Sequence, residues 1–367
     1  MFSALVLNTD DGDVQAHVRS LNETDLPGAG AEAVRLEVLY SSLNYKDGLA
    51  VTGTGAVIRG EYPMVPGIDL VGRVQESRHD GFDPGDLAIG TGWQLGEAVW
   101  GGYTQQARVD GNTLVPLPEG LSPRQSMIVG TAGLTAMLSV LALEEHGVGP
   151  DAGDVVVTGA SGGAGSIAVA LLESLGYAAV ASTGSTEAHA YLRALGADRI
   201  VPRSEFEDGP ARPMDAGTWA GAIDAVGGDT LATILSQVQR HGSVAAFGNA
   251  GGHALHTSVL PFILAGHRLQ HLPQRPPPDG LGAARRFAYG RGLRAHPRRD
   301  YRTRRHSGGC APDRRGGGAG AYSGRRCGLG RPAWGSNRAG VQSVHLLFIR
   351  CAILSPHGSG SPRNAAP

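Results

Sequence analysis

DVVVTGASGGAGSIAVALLESLGY, residues 154–177, decides the fold. Val155-Val156-Val157 is β-branched and wholly apolar, the pattern of a short strand buried on both faces. Gly159, Gly162, Gly163 and Gly165 follow, and apolar residues then recur at helical spacing at Ile167, Leu171, Leu172 and Leu175. Strand, glycine turn and helix in this order bring backbone N–H groups and a helix N-terminus to one point. That arrangement cradles a dinucleotide pyrophosphate; a glycine-rich loop serving only the fold is the alternative. A second strand, AAVAST (178–183), arrives at the distance a βαβ unit requires. The segment predicts an α/β Rossmann domain with a doubly wound parallel sheet.

The end of the second strand bears on the choice of cofactor. An NAD site places Asp or Glu about 20 residues past the glycines to accept from the ribose 2′-OH. Here the residues are Ser182-Thr183-Gly184-Ser185. Small hydroxyl side chains leave room for a 2′-phosphate and can hydrogen-bond it, so NADPH is favoured over NADH. Arg203, in IVPRSEFE, can supply the positive charge or stand as a solvated surface arginine. WAGAIDAVGGDTLATILSQV and GSVAAFGNAGG each read as a further strand with a polar or glycine break at its carboxyl end. Ligands of such sheets sit beyond those ends, which makes Asn249 a candidate contact. LHTSVLPFILAGHRLQ (255–270) reads as a loop, a helical turn and the start of one more strand.

Upstream, SPRQSMIVGTAGLTAMLSVLALEEHGV opens with Ser122 as N-cap and Pro123 at the first helical position. Residues 1–120 alternate short apolar runs with Gly, Pro and Asp, as in AVRLEVLYSSL, MVPGIDLVGRVQES and GDLAIGTG, the rhythm of a small β-rich domain. At 367 residues the chain accommodates two ordinary domains. No apolar run approaches the roughly 18–20 residues of a bilayer span. The first residues, MFSALVLNTDDGDV, read as a strand and not as a leader, so the expected location is the cytoplasm, with no membrane partner.

The net charge of −1 conceals two unlike pieces. Residues 1–270 hold 14 Lys and Arg against 30 Asp and Glu, a net of −16; residues 271–367 hold 18 Arg and three Asp, a net of +15. The body repels nucleic acid on average. It also lacks cysteine, which excludes a Cys-based zinc site or redox pair there. After Gln270 the text becomes HLPQRPPPDGLGAARRFAYG, rich in Arg, Gly, Pro, Ala and His, and hydrophobic periodicity disappears. A GC-rich gene read in a shifted frame yields this composition. The expectation is a frameshift near codon 270, with 271–367 not a folded domain; a basic tail that binds nucleic acid or acidic partners is the alternative.

SSLNYKDGLAVTG (41–53) holds the only lysine of the chain, Lys46, between Tyr45 and Asp47. A phenol, an ammonium and a carboxylate fall within three positions. In a strand Tyr45 and Asp47 would share one face and Lys46 the other; a helical start would spread them.

Together with PMVPGIDLVG, TGWQLGEAVWGGYTQQARV, MIVGTAGLTAML, VVVTGASGGAGS, HAYLRALGAD, WAGAIDAVG and LPFIL, this stretch carries a resemblance. The chain resembles the zinc-free acryloyl-CoA reductase (quinone oxidoreductase-like) branch of the medium-chain dehydrogenase/reductase superfamily. The match runs in family order from the first residues to about Gln270. Ile68-Asp69 stands where zinc-dependent relatives carry a His-Glu pair, so no metal is expected.

The resemblance implies a GroES-like, partly open β-barrel catalytic domain (1–122), a Rossmann NADPH-binding domain (123–270) and a cleft between them. It implies NADPH-dependent reduction of the 2,3 double bond of acryloyl-CoA and a homodimer formed through the Rossmann domain. Cofactor contacts carried over by position are Tyr45, Ser161, Gly162, Gly163, Ala164, Thr183, Gly184, Ser185, Arg203, Asn249 and Ile263. Relatives commonly have Arg or Lys where Ser185 stands, which leaves Arg203 as the main cation for a 2′-phosphate.

Such a reaction needs a donor aimed at the thioester oxygen and a proton for the α-carbon. The reading places Tyr45 beside the nicotinamide as that donor, with Asp47 positioning it or a relay water. Lys46 is the weaker catalytic candidate, its compact charge suited to a buried carboxylate or a CoA phosphate. Arg59 is a weak substrate-binding candidate. The alternative is that Asn44 and Asp47 cap a turn while Lys46 makes a structural ion pair. Reduction of quinones or other enones, or NADPH binding without chemistry, are the competing functions.

Overall fold

The computed structural model describes residues 1–271. The chain begins as a hairpin of β1 (Phe2–Asp10) and β2 (Asp13–Leu21), turned by Asp11 and Gly12, both at positive φ. Then come β3 (Ala33–Tyr40), α1 (Tyr45–Thr52), β4 (Asp69–Ser77), β5 (Leu87–Thr91), β6 (Gln106–Asp110) and β7 (Leu114–Pro116). These five strands form an antiparallel sheet in the order β6-β3-β4-β5-β7. Its core collects Val34, Leu36, Leu70, Val74, Ala88, Val109 and Leu114, the alternate residues that the pleat sends to one face. The hairpin leans on this sheet through Leu5 N–H to Tyr103 C=O and Leu7 N–H to Met64 C=O.

α2 (Pro123–Glu145) follows, capped as the sequence predicts: Ser122 Oγ accepts from Gln125 N–H and Gln125 Oε1 accepts from Ser122 N–H at 2.9 Å. It is not one rod. Gly130, at φ 44° and ψ −153°, breaks it, and the helix packs against both halves of the molecule. By length and composition alone α2 could cross a membrane, a correction to the expectation that no segment approaches that limit. Its broken backbone and its core residues Met137, Val140 and Leu143 make it a core helix.

The second half contains β8 (Val155–Val157), α3 (Gly163–Ser174), β9 (Ala179–Thr183), α4 (His189–Ala194), β10 (Arg199–Pro202), β11 (Trp219–Asp224), α5 (Gly228–Gln237), β12 (Val238–Ala246), α6 (Leu260–Ala265) and β13 (Arg268–His271). The six strands are parallel, in the order β10-β9-β8-β11-β12-β13. This is the doubly wound sheet expected from residues 154–183. Val155 and Val157 face the cluster of Val140, Leu143, Val169 and Leu172, while Val156 faces that of Ile234, Leu235 and Val244. Burying each such side chain contributes about 1.5–3 kcal/mol, which is why the run is apolar without alternation. The sheet reverses its winding between β8 and β11, and the carboxyl ends there open a crevice. The expected tail, 271–367, lies outside the described residues apart from His271.

His267, between α6 and β13, is buried, and its ring nitrogens have no hydrogen-bond partner among the described residues. The carbonyls of Leu235, Val238 and Gln239 lie near the ring without completing a bond of normal geometry. Burial lowers its pKa below the ordinary histidine value. The unfolded chain therefore binds more protons than the folded one between that lowered value and about 6.5, so stability is present above that window and lost as pH falls through it. Urea unfolding between pH 5 and 7.5 should show this fall in the wild type, and His267→Leu should flatten it; parallel curves would show that the ring is not the titrating group.

Candidate active site at the junction of the two halves

The segment with the lone lysine starts a helix. Asn44 stands at the N-cap of α1, and Asp47, three residues on, turns back to accept from Asn44 N–H at 2.8 Å and Asn44 Nδ2 at 3.2 Å. The other Asp47 oxygen accepts from Ile68 N–H at 3.0 Å. Asp47 is 1% exposed and Tyr45 is 70% exposed, because residues two apart on a helix point to nearly opposite sides. Asp47 makes no bond to the Tyr45 phenol: its carboxylate accepts from the cap and from Ile68, and so holds the turn of α1 that carries Tyr45. Burial raises the Asp47 pKa, against the opposing effect of these hydrogen bonds. Lys46 points elsewhere, to a buried carboxylate: its Nζ is 2.9 Å from Glu97 Oε1.

At the centre lies Asp69, the first residue of β4, fully buried. Ser42 Oγ donates to it, as do Asn44 Nδ2 at 2.9 Å, Thr131 Oγ1 at 2.6 Å and Thr131 N–H at 3.0 Å. Ser41 Oγ donates to its carbonyl at 2.6 Å. Thr131 follows Gly130, so the break in α2 is what aims these donors at Asp69. A Cβ on Gly130 would come within 2.7 Å of Asp69 Oδ2, and its positive φ independently favours glycine. Tyr103 donates from its hydroxyl to Ser42 C=O at 3.1 Å. Burial raises the Tyr103 pKa, helped by the nearby charges of Asp47 and Asp69, so the phenol stays protonated. Among the described residues no three His, Cys, Asp or Glu side chains converge as a metal site.

From Thr131 the path leads to the glycine turn. Ala132 packs beneath Gly163, where a Cβ on the glycine would sit 3.6 Å from the alanine methyl. Gly165 has no such room: its Cβ would fall 2.3 Å from Gly159 C=O, so the turn closes tightly only with glycine there. Ser161, Gly162 and Gly163 are exposed, and no side chain caps α3, which leaves its first-turn N–H groups open to an anion. Thr183 Oγ1 donates to Ser161 Oγ at 3.1 Å, joining the end of β9 to the turn. Thr183 Oγ1 in turn accepts from Ser185 N–H at 3.1 Å. The Arg203 guanidinium lies against Gly184, 3.3 Å from where a Cβ would stand. Its Nε is engaged by Glu207 Oε1 at 2.5 Å, and the side chain is more than half exposed.

Asp224, buried at the end of β11, accepts from Thr158 Oγ1 at 2.6 Å and Gly227 N–H at 2.8 Å, and so fixes the neighbouring strand end. Burial raises its pKa. Asn249 follows β12 beside Gly227, exposed at the same carboxyl edge. Ile263 is 68% exposed on α6, whose buried residues are Pro261 and Ala265. Thus Ser161, Gly162, Gly163, Ala164, Thr183, Gly184, Ser185 and Arg203 gather at one end of the crevice. Tyr45 is linked to them through Asn44, Asp69, Thr131 and Ala132. A cavity of about 920 Å3 in the N-terminal half, lined in part by Tyr62, Trp93 and Trp100, contains none of the predicted contacts and is not this site.

Sequence reasoning missed Asp69, Thr131, Ser42 and Glu97. The first had a signal: a carboxylate inside the apolar run MVPGIDLVG has to be paired when buried.

Comparison with known proteins is consistent with this geometry. Residues 30–119 match the family described as alcohol dehydrogenase GroES-like domain, and 163–273 match zinc-binding dehydrogenase. The chain is 51% identical over 271 residues to acrylyl-CoA reductase AcuI of Ruegeria pomeroyi, covering 73% of this chain and 81% of that protein. It is 46% identical over 266 residues to a Bacillus subtilis protein named "Putative quinone oxidoreductase YhfP", covering 72% and 79%. The crystal structure of Escherichia coli YhdH with bound NADPH superposes with a TM-score of 0.72 at 50% identity, covering 78% of this chain and 87% of that one. The Bacillus protein with NAD bound gives 0.72 at 43% identity, with the same coverages.

Asp69→Asn puts an amide N–H against donors and should destabilise the chain by about 3 kcal/mol. Thr131→Val removes one donor and should cost about 1–2 kcal/mol. Denaturant unfolding measures both, and wild-type stability in Asp69→Asn would show that this network does not hold the two halves together.

Proposed function

The chain belongs to the medium-chain dehydrogenase/reductase superfamily, and we propose that it is an NADPH-dependent reductase of the 2,3 double bond of acryloyl-CoA, or a similar short enoyl thioester, acting as a cytoplasmic homodimer. The observation that carries the cofactor is the open N-terminus of α3 beside a strand end, Ser182-Thr183-Gly184-Ser185, that carries hydroxyls and no Asp or Glu of its own, with the Arg203 guanidinium against Gly184. An uncapped helix N-terminus suits the pyrophosphate, and hydroxyls with one cation suit a 2′-phosphate. The relative named acrylyl-CoA reductase, identical at 51% of aligned positions, supports the substrate. The exposed apolar side chains Val259, Leu264 and Leu269, at the end of the Rossmann sheet that β13 closes among the described residues, support the homodimer.

NADPH, when bound, supplies a hydride to the β-carbon of the thioester. The chain's own part is to stabilise the enolate charge that then develops on the thioester oxygen and to manage the proton that reaches the α-carbon. Tyr45 is assigned to the oxygen: its phenol stands free on the first turn of α1, and Asn44 and Asp47 fix the backbone beneath it. Asp47 and Asp69 act by positioning, since both carboxylates are occupied by protein donors. The proton comes from Tyr45 or from solvent at the open side of the cleft. The Bacillus relative's name favours a second reading, reduction of a quinone or another enone at the same site.

The test is NADPH consumption with acryloyl-CoA, run on the chain as written and on a version whose reading frame after codon 270 is restored. Consumption that depends on the thioester is expected, and its absence from the restored version overturns the reading. Preference for a quinone over the thioester would favour the second. Tyr45→Phe should lower turnover about tenfold to 100-fold with NADPH affinity kept; an unchanged rate would remove Tyr45 from the chemistry.

A further inference from the structure

Beside Tyr45, two cations share one buried carboxylate. Lys46 Nζ is 2.9 Å from Glu97 Oε1, and Arg59 Nη2 is 3.7 Å from Glu97 Oε2. The Glu97 side chain is 9% exposed, whereas those of Lys46 and Arg59 are 38% and 51% exposed. Arg59 N–H and Gly60 N–H both donate to Glu97 C=O, at 2.7 and 3.0 Å, so the backbone beneath the guanidinium is fixed as well. The other arginine ion pairs among the described residues balance one to one: Arg203 with Glu207, Arg199 with Asp154, and Arg35 and Arg108 with Glu23 and Glu76. Here two cations meet one anion, and a positive charge is left over.

That excess stands out against its surroundings. Residues 1–270 carry a net charge of −16, so a polyanionic ligand is repelled by the body on average and must be met by a built positive site. Leu43 and Val99 are exposed close by in sequence to this cluster, Leu43 near Lys46 and Val99 two residues after Glu97. We propose that Lys46 and Arg59, both anchored on Glu97, form the seat for the phosphate groups of a coenzyme A thioester, with Leu43 and Val99 offering apolar contact to its uncharged arm. The inference rests on the reductase reading above and extends it to how the substrate is held. The division of labour follows from the two side chains. The compact ammonium of Lys46 meets one oxygen of Glu97 and keeps N–H groups to spare. Arg59 touches Glu97 through Nη2 alone and is half exposed, so most N–H groups of its planar fork are left for a phosphate.

The experiment compares acryloyl-CoA with acryloyl-pantetheine, which has the same enoyl thioester and no phosphate, using the full chain. Arg59→Gln should raise KM for acryloyl-CoA about fivefold or more, since a charge-assisted phosphate contact is lost. KM for acryloyl-pantetheine should not move, and Arg59→Lys, which keeps the charge without the fork, should restore part of the loss. KM for the CoA thioester alone should also rise with ionic strength. Equal shifts on both thioesters, or none on either, overturn the proposal. If the wild type reduces neither thioester, the reductase reading is at fault, and calorimetry with free coenzyme A and with pantetheine then decides the seat. Binding of coenzyme A that weakens in Arg59→Gln sustains it; coenzyme A bound no better than pantetheine overturns it.

Discussion

The carboxylate of Asp69 gathers donors from two separate segments, Ser42 and Asn44 ahead of α1 and Thr131 at the break in α2, and ties both to β4, which carries it. A buried charge is tolerated only when its lone pairs are occupied, so these segments hold one another in place. Moving any of them would strand the charge. The position of Tyr45 above and the path of α2 towards the glycine turn both follow from it. Each lies one or two residues from an Asp69 donor, and Ala132, next to Thr131, supports Gly163. The site is rigid because it is built outward from a single electrostatic requirement.

The second half meets a different constraint, the crowding of backbone on backbone. β8 is apolar on both faces, so it is buried between two helical layers, and its exit must turn at once into α3. Gly165 lets the helix approach the strand end closely enough for that turn. The same tight turn leaves the N-terminus of α3 uncapped and directed at the crevice. Asp224, held by Thr158 and Gly227, does for the β11 end what Asp69 does for the junction. Asp69 in the first half and Asp224 in the second thus set the two walls of the candidate site.

How much of this the sequence disclosed depends on the range of the interaction. Strands and helices of the second half were legible because their signals are local: three valines, four glycines, a leucine period, Ser122 before Pro123. The N-terminal strands were legible for the same reason. NYKD was ambiguous because three residues cannot distinguish a period of 2 from one of 3.6; the deciding signal was Asn44 followed three residues later by Asp47, a capping pattern that competed with a catalytic reading of the same carboxylate. Glu97 and Lys46 are 51 residues apart, and Asp69 and Thr131 are 62 apart, so no periodicity connects them. The sequence marked Asp69 only as one of two residues where zinc-dependent relatives differ, and said nothing of its partners. The sequence set Arg203 after the strand that follows β9, and the fold lays its guanidinium against Gly184; its bond to Glu207 belongs to a helical turn that the short run RSEFE did not announce.

The distance in sequence between Asp69 and Thr131 also governs the order in which the molecule can be completed as it is made. A ribosome adds about 5–20 residues per second, so the 62 intervening residues take roughly 3–12 s to appear. Late in that interval, once β7 is complete at Pro116, the antiparallel sheet has all its strands, yet the carboxylate at the head of β4 still waits for Thr131. The nascent first half is thus left with a poorly neutralised charge among apolar side chains until the start of the second half emerges. Its final closure is tied to the arrival of α2, so the two halves mature as one cooperative unit although they form separate sheets.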